Sequence, residues 1–266
     1  MPAIQLARLK IQVSELATCF DNPREFKRRM HNLFEFYADG SYHPGQIGSP
    51  APLLNVYHIP QPVQKEVIRQ LSPFINTNRQ ATLNLVDMLW EEPNLEFRYT
   101  AIHILGEIDP VPVEDIIQRV ESWLHPSTEL RLIQAIFTNG LARVRQENID
   151  LYLSLIKGWL RAQEVFHKTM GLKAIRELVD DLSYENIPLL IRTVEPLIYS
   201  GASVLRPDLM EVIRSFARRS PSETAAFLKQ TLVVKTQNLN SAWIIRHSLE
   251  EFPLDLQPGL KVALRE

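Results

Sequence analysis

Apolar residues recur at three- and four-residue intervals along most of the chain, the period that gathers them on one side of an α-helix. Leu83, Val86, Leu89 and Trp90 trace one such face, and Ile102 and Leu105 continue it on the next segment. No run alternates in the two-residue period of a half-buried strand. The punctuation agrees with helices. In DNPREFKRR, Asp21 or Asn22 offers an N-cap and Pro23 stands in the first turn, where its missing N–H costs nothing. SPSETAAFL repeats the device with Ser220 and Pro221, and HPSTEL places Pro126 and Ser127 at another helix start. Breaks near 92, 110, 126, 146, 162, 184, 201, 220 and 237 leave helices of about 12–18 residues, joined by turns short enough for antiparallel pairs.

The pattern repeats. WEEPNLEFRYTAI begins at Trp90 and WLHPSTELRLIQAI at Trp123; both have Pro three residues on, Glu six on, an apolar residue seven on and Arg eight on. WLRAQEVFHKTMGLKAI, from Trp159, keeps the spacing loosely through Ala162, Val165, Phe166 and His167. Periods of 33 and 36 residues suit two helices and a turn. A unit of that size cannot bury its apolar face alone, so neighbours must stack. The expectation is an all-α fold: an α-α superhelix, a HEAT- or armadillo-like solenoid of about six helix pairs, running over 1–266 as a single repeat domain. Pairs at 186–219 and 221–251 fit the period without the tryptophan marker. The tryptophans are expected to pack between repeats as core.

One stretch interrupts the helical pattern. Residues 37–62, YADGSYHPGQIGSPAPLLNVYHIPQP, hold three of the nine glycines and five of the eighteen prolines. A loop over 39–61 is long for a compact domain. Its Tyr42, His43, Tyr57 and His58 predict a segment packed onto its own array rather than a bare linker.

Composition narrows the function less than the pattern narrows the fold. The chain is 45% hydrophobic and 23% charged with a net charge of -2, so no overall basic field draws it to polyanions. The charge is uneven. Residues 76–150 carry 6 basic and 12 acidic side chains, whereas 151–266 carry 15 and 13. Lone Cys19 excludes an internal disulfide and a cysteine-based zinc site and fits a reducing cytoplasm. The N-terminus lacks the apolar core of a signal peptide, and no apolar run approaches the roughly 20 residues of a membrane span. The seven histidines, His31, His43, His58, His103, His125, His167 and His247, show no His-x-x-x-His spacing. No metal and no cofactor is expected, since glycine-rich phosphate loops and Gly-x-Ser-x-Gly elbows are also missing.

Basic residues give the candidate chemistry. Arg98, Arg131 and His167 fall at one phase of the repeat, where they could track a phosphate backbone or pair with carboxylates such as Glu96 and Glu129. A second cluster, Lys168, Lys173, Arg176, Arg214, Arg218 and Arg219, lies on the second helices of later pairs. Solvated helix surface is the alternative reading of those charges.

VQKEVIRQL followed by LVDMLWEEPNLEFRYTAIHIL, then WLRAQEVFHKTMGLKAI and MEVIRSFARRSPSE, resembles the AlkD-like HEAT-repeat DNA glycosylases over most of residues 20–250. The resemblance implies a concave basic channel for DNA, an aspartate that stabilises the developing oxocarbenium sugar, and two tryptophans against the deoxyribose and backbone. Aligned on Gly140, the first tryptophan and the aspartate of that family fall at Thr128 and Leu132, and the second tryptophan at Glu211. The arginine that the family turns to the backbone is kept as Arg214. Its mid-array arginine falls at Thr169, beside Lys168. No Trp-x-x-x-Asp occurs anywhere in the chain. Glu129, expected on nearly the same helical face as Leu132, and Glu211 are the weak substitutes for the missing acid.

Three readings stay open at this point: a noncatalytic homologue that binds DNA through Arg98, Arg131, His167, Lys168, Lys173, Arg214 and Arg218; a protein-interaction scaffold with a protein partner; and a glycosylase with a relocated carboxylate. None requires a membrane.

Overall fold

A computed structural model describes residues 5–39, 54–200, 203–234 and 239–265. Among them the secondary structure is helical, and the one β-type pairing is an isolated bridge between Asn55 and Asn94. The chain forms two compact units, Met1–Asn148 and Ile149–Glu266.

The first unit holds α1 (Leu6–Ala17), α2 (Pro23–Tyr37), α3 (Gln61–Ile75), α4 (Arg79–Glu91), α5 (Leu95–Glu107), α6 (Glu114–Trp123), α7 (Leu130–Ala135) and α8 (Ala142–Glu147). Local chemistry sets several starts. Asn22, not Asp21, caps α2, accepting the Glu25 N–H at 3.3 Å ahead of Pro23, and Asn78 caps α4 through the Ala81 N–H. α3 packs between α1 and α5, and α5 packs in turn on α4 and α7. α4 and α6 are fastened side by side. Arg119 grips Asp87 through two nitrogens at 2.7 and 2.6 Å, and the Trp90 and Trp123 rings stack with centroids 4.2 Å apart and 13° between planes. The repeated tryptophans therefore lock first helices to each other, with Trp123 buried and Trp90 partly exposed.

α7 continues as a π-turn, Ile136–Gly140, in which the Leu141 N–H reaches the Ile136 carbonyl at 2.9 Å. This turn lies hard against α5. A Cβ on Gly106 would sit 1.9 Å from the Asn139 carbonyl oxygen, so only glycine permits the approach.

The second unit holds α9 (Ile149–Arg161), α10 (Val165–Asp180), α11 (Ile187–Ser200), α12 (Arg206–Arg219), α13 (Pro221–Val234), α14 (Leu239–Ser248) and α15 (Gln257–Ala263). Two rows build it. α9, α11, α13 and α15 follow one another in the first, and α10, α12 and α14 in the second. The breaks expected near 92, 110, 126, 162, 184 and 220 fall between consecutive helices, and the one near 146 lies one residue before the end of α8. Those expected near 201 and 237 lie outside the described residues. One start is corrected: residues 125–128 form a turn, and the helix expected from Pro126 begins at Leu130.

Within the 39–61 insertion, Tyr42 and His43 also lie outside the described residues. Residues 54–60 run non-helically across the starts of α5 and α7. The Asn55 N–H donates to the Pro93 carbonyl at 2.8 Å, and the Leu95 N–H returns to the Asn55 carbonyl at 2.9 Å. Two repeat-motif glutamates clamp this strap. Glu96 Oε1 accepts the His58 N–H at 2.9 Å, and Glu129 Oε1 accepts the Leu54 N–H at 3.1 Å. His58 takes φ 55°, in the left-handed region, where the strap turns toward α3. Tyr57 anchors it, with its ring among Phe34, Phe97 and His31 and its hydroxyl 2.5 Å from His31 Nδ1. Burial, with the charges of Glu35, Glu96 and Glu92, pushes the Tyr57 phenol up. On the far side of His31, Glu92 is held below its ordinary range. Burial opposes this, but Lys27 and His31 outweigh it.

Two expectations follow. Gly106→Ala destabilises the protein by about 1–3 kcal/mol or more in denaturant titration, whereas Gly158→Ala, whose Cβ meets nothing within 4 Å, is stabilising by up to about 1 kcal/mol. In hydrogen exchange, Glu129→Ala deprotects the Leu54 amide and leaves His58 protected; Glu96→Ala does the reverse. Equal loss at both amides in both variants would mean the strap docks as one unit rather than at two clamps.

Candidate nucleic-acid interface

The repeat-phase cations do not form a free phosphate-tracking row. Arg98 lies with its guanidinium 5.0 Å from the Trp90 ring centre and donates from Nε to the Glu92 carbonyl at 3.1 Å. Burial draws its pKa down, against the pull of Glu129. Its partner is thus an indole and a carbonyl, not the carboxylate that the sequence suggests. Arg131, which is exposed, donates to Glu129 Oε2 at 2.6 Å. His167 Nδ1 lies 3.0 Å from Glu164 Oε2.

Glu129 therefore holds two donors, Arg131 and the strap N–H, and its side chain is only 10% exposed. The expectation that it shares a helical face with Leu132 is corrected. Glu129 is the non-helical residue ahead of α7, with ψ 136°, so the three-residue face rule does not apply to it. Leu132 is fully buried and has no route to a ligand. Thr128 bonds back to the Trp123 carbonyl at 2.8 Å and closes the turn. Glu96 is buried beneath the strap, and its Oε2, like Gln64 Oε1, meets no donor among the described residues.

In the second unit, α10 and α12 bring most of the remaining candidates together. Lys173 Nζ lies 3.4 Å from Asp208 Oδ1, and Thr169 donates to Asp208 Oδ2 at 3.2 Å. Arg176 reaches Glu211 at 3.7 Å and Asp180 at 3.9 Å. Arg214 donates to Glu211 at 3.0 Å, and its Nε lies 3.2 Å from Glu251, near enough to attract but not aimed as a hydrogen bond. The face is a ladder of alternating charges, not a basic stripe. Among the described residues, Lys168 and Arg218 are its cations without a carboxylate within 4.0 Å; Arg218 donates to the Ser215 hydroxyl. Arg219 turns away, to the Leu182 and Tyr184 carbonyls.

Asp208, Glu251, Arg206 and Trp243 were not among the candidates that the sequence offered. Asp208 and Glu251 supply half of the counter-charges. On α12 and α14, Arg206 lies 4.8 Å from the Trp243 ring centre, while His247 stacks on Trp243 at 4.1 Å. The four-residue step from Trp243 to His247 was the available signal. Arg206, 37 residues upstream of Trp243, gave none.

Among the described residues no three acids, histidines or cysteines converge on a metal position, and no helix is long and apolar enough to cross a membrane. No curated protein and no solved structure matches the chain. The family model for the DNA alkylation repair enzyme matches residues 53–252, three quarters of the sequence, from the strap through α14. The chain belongs to the DNA alkylation repair enzyme family.

Proposed function

We propose that this protein is a noncatalytic, HEAT-like member of its family that binds duplex DNA through the α10–α12 face. The observation that carries the reading is the state of its acids. Stabilising an oxocarbenium sugar requires a carboxylate whose negative charge is free to face the developing cation. Glu129 is spent on Arg131 and the strap, and Glu211 on Arg176 and Arg214. Leu132, at the position aligned with the family acid, supplies no charge.

Binding is the part of the family's work that remains chemically available. Lys168 and Arg218 can meet phosphates directly. Lys173, Arg176 and Arg214 can do so by exchanging half-exposed Glu211 and the other carboxylates for phosphate oxygens. Because the face is nearly neutral, its affinity is modest and its salt dependence shallow. The same charge balance favours, as a second reading, a scaffold for a protein partner. That reading gains if a partner is retained after nuclease treatment and no duplex binding is found.

Anisotropy titrations of a fluorescent duplex at several salt concentrations test the reading. Wild type binds at low salt, and Lys168→Gln/Arg218→Gln lowers the slope of log K against log salt by about 2. Affinity falls equally on unrelated sequences. Absence of low-salt binding, or an unchanged slope in the double variant, contradicts the proposal.

A further inference from the structure

The first-helix row of the second unit carries a feature that the α10–α12 face does not. Between α9 and α11 lies a cleft of about 240 Å³ whose charged lining is Lys157, Arg161 and Arg192, with no acid among its wall residues. Leu160, Pro196 and Leu197 form its apolar wall, and the Thr193 hydroxyl is committed to the Leu189 carbonyl at 2.7 Å.

The three cations contrast with every paired cation of the neighbouring row. Lys173, Arg176 and Arg214 each have carboxylates within 4.0 Å. Lys157, Arg161 and Arg192 have none among the described residues, although acids are common in the chain. Three like charges around one concavity raise each other's energy, and low-dielectric walls focus their field on the space between them. An anion entering that space relieves the repulsion. Two guanidinium forks and one ammonium match the oxygens of a phosphate better than a single carboxylate, because each fork presents paired parallel N–H donors. A water occupies roughly 30 Å³, so the cleft admits a phosphate or pyrophosphate and leaves an apolar wall for whatever the phosphate is attached to.

We propose that the α9–α11 cleft is a phosphate-binding site, separate from the α10–α12 face and independent of whether that face binds DNA. The phosphate belongs either to a small molecule or to a nucleic-acid backbone, and the experiment separates the two.

Calorimetric titration with pyrophosphate gives saturable one-to-one binding to the wild-type chain. Arg192→Gln weakens it about tenfold, the loss expected for one charged hydrogen-bonding group. Lys157→Gln/Arg161→Gln/Arg192→Gln removes it, and Lys168→Gln/Arg218→Gln leaves it intact. A duplex oligonucleotide is titrated in parallel. If duplex displaces pyrophosphate and loses affinity in the triple variant, the backbone is the natural source. If pyrophosphate binds and duplex affinity ignores the triple variant, a small phosphate ester is the source. The proposal is overturned if the wild type binds neither at these residues, or if the triple variant, with far-UV circular dichroism unchanged, binds pyrophosphate as the wild type does. Should the triple variant fail to fold, Arg192→Gln decides alone, since that side chain is exposed and an unchanged affinity there counts against the site.

Discussion

A carboxylate engaged by two donors has little field left for a third positive centre, and this protein uses its well-placed acids in that way. Glu129 joins the strap to the start of α7 while holding Arg131. Glu96 joins the same strap to α5. Glu211 and Asp208 tie α10 to α12 through Arg176, Lys173 and Thr169. Each acid is a fastener between elements, so changing one to gain chemistry would loosen the packing that positions it.

The noncatalytic reading proposed above rests on that use of the acids. Excising a positively charged alkylated purine asks little of the leaving group and much of the field around the sugar. The positions that the sequence resemblance assigns to the acid and the two indoles hold a buried leucine, a threonine closing a turn and a glutamate ion-paired with two arginines. Indoles are present, but they serve other ends: Trp90 and Trp123 stack on each other, and Trp243 lies between Arg206 and His247 in sequence and touches both.

The helices were legible because their signals are local. Asn22 with Pro23, Ser220 with Pro221, and the three-and-four spacing of apolar residues each act within one or two turns. The 33-residue period marked the units because Trp90 and Trp123 must meet face to face. The site was legible only in part. Arg131 with Glu129 lies two residues apart and could be proposed, whereas Asp208 with Lys173 and Arg206 with Trp243 join residues 35 and 37 apart through packing. The face rule failed at Glu129 because the helix begins at Leu130, four residues after the proline that suggested its start, and a side chain outside a helix does not obey its period. The insertion announced itself by composition. That two motif glutamates would hold its backbone could not be read, since a backbone N–H has no letter in the sequence.

Whether the fastened acids leave the protein without base-excising activity is decided by single-turnover release of the base from a duplex carrying one cationic alkylated purine, with protein in excess of its dissociation constant for that duplex. The expected result is that the duplex is bound while base release proceeds at the rate of the free DNA. Release accelerated over free DNA, and abolished by Glu129→Gln or Glu211→Gln, would contradict it.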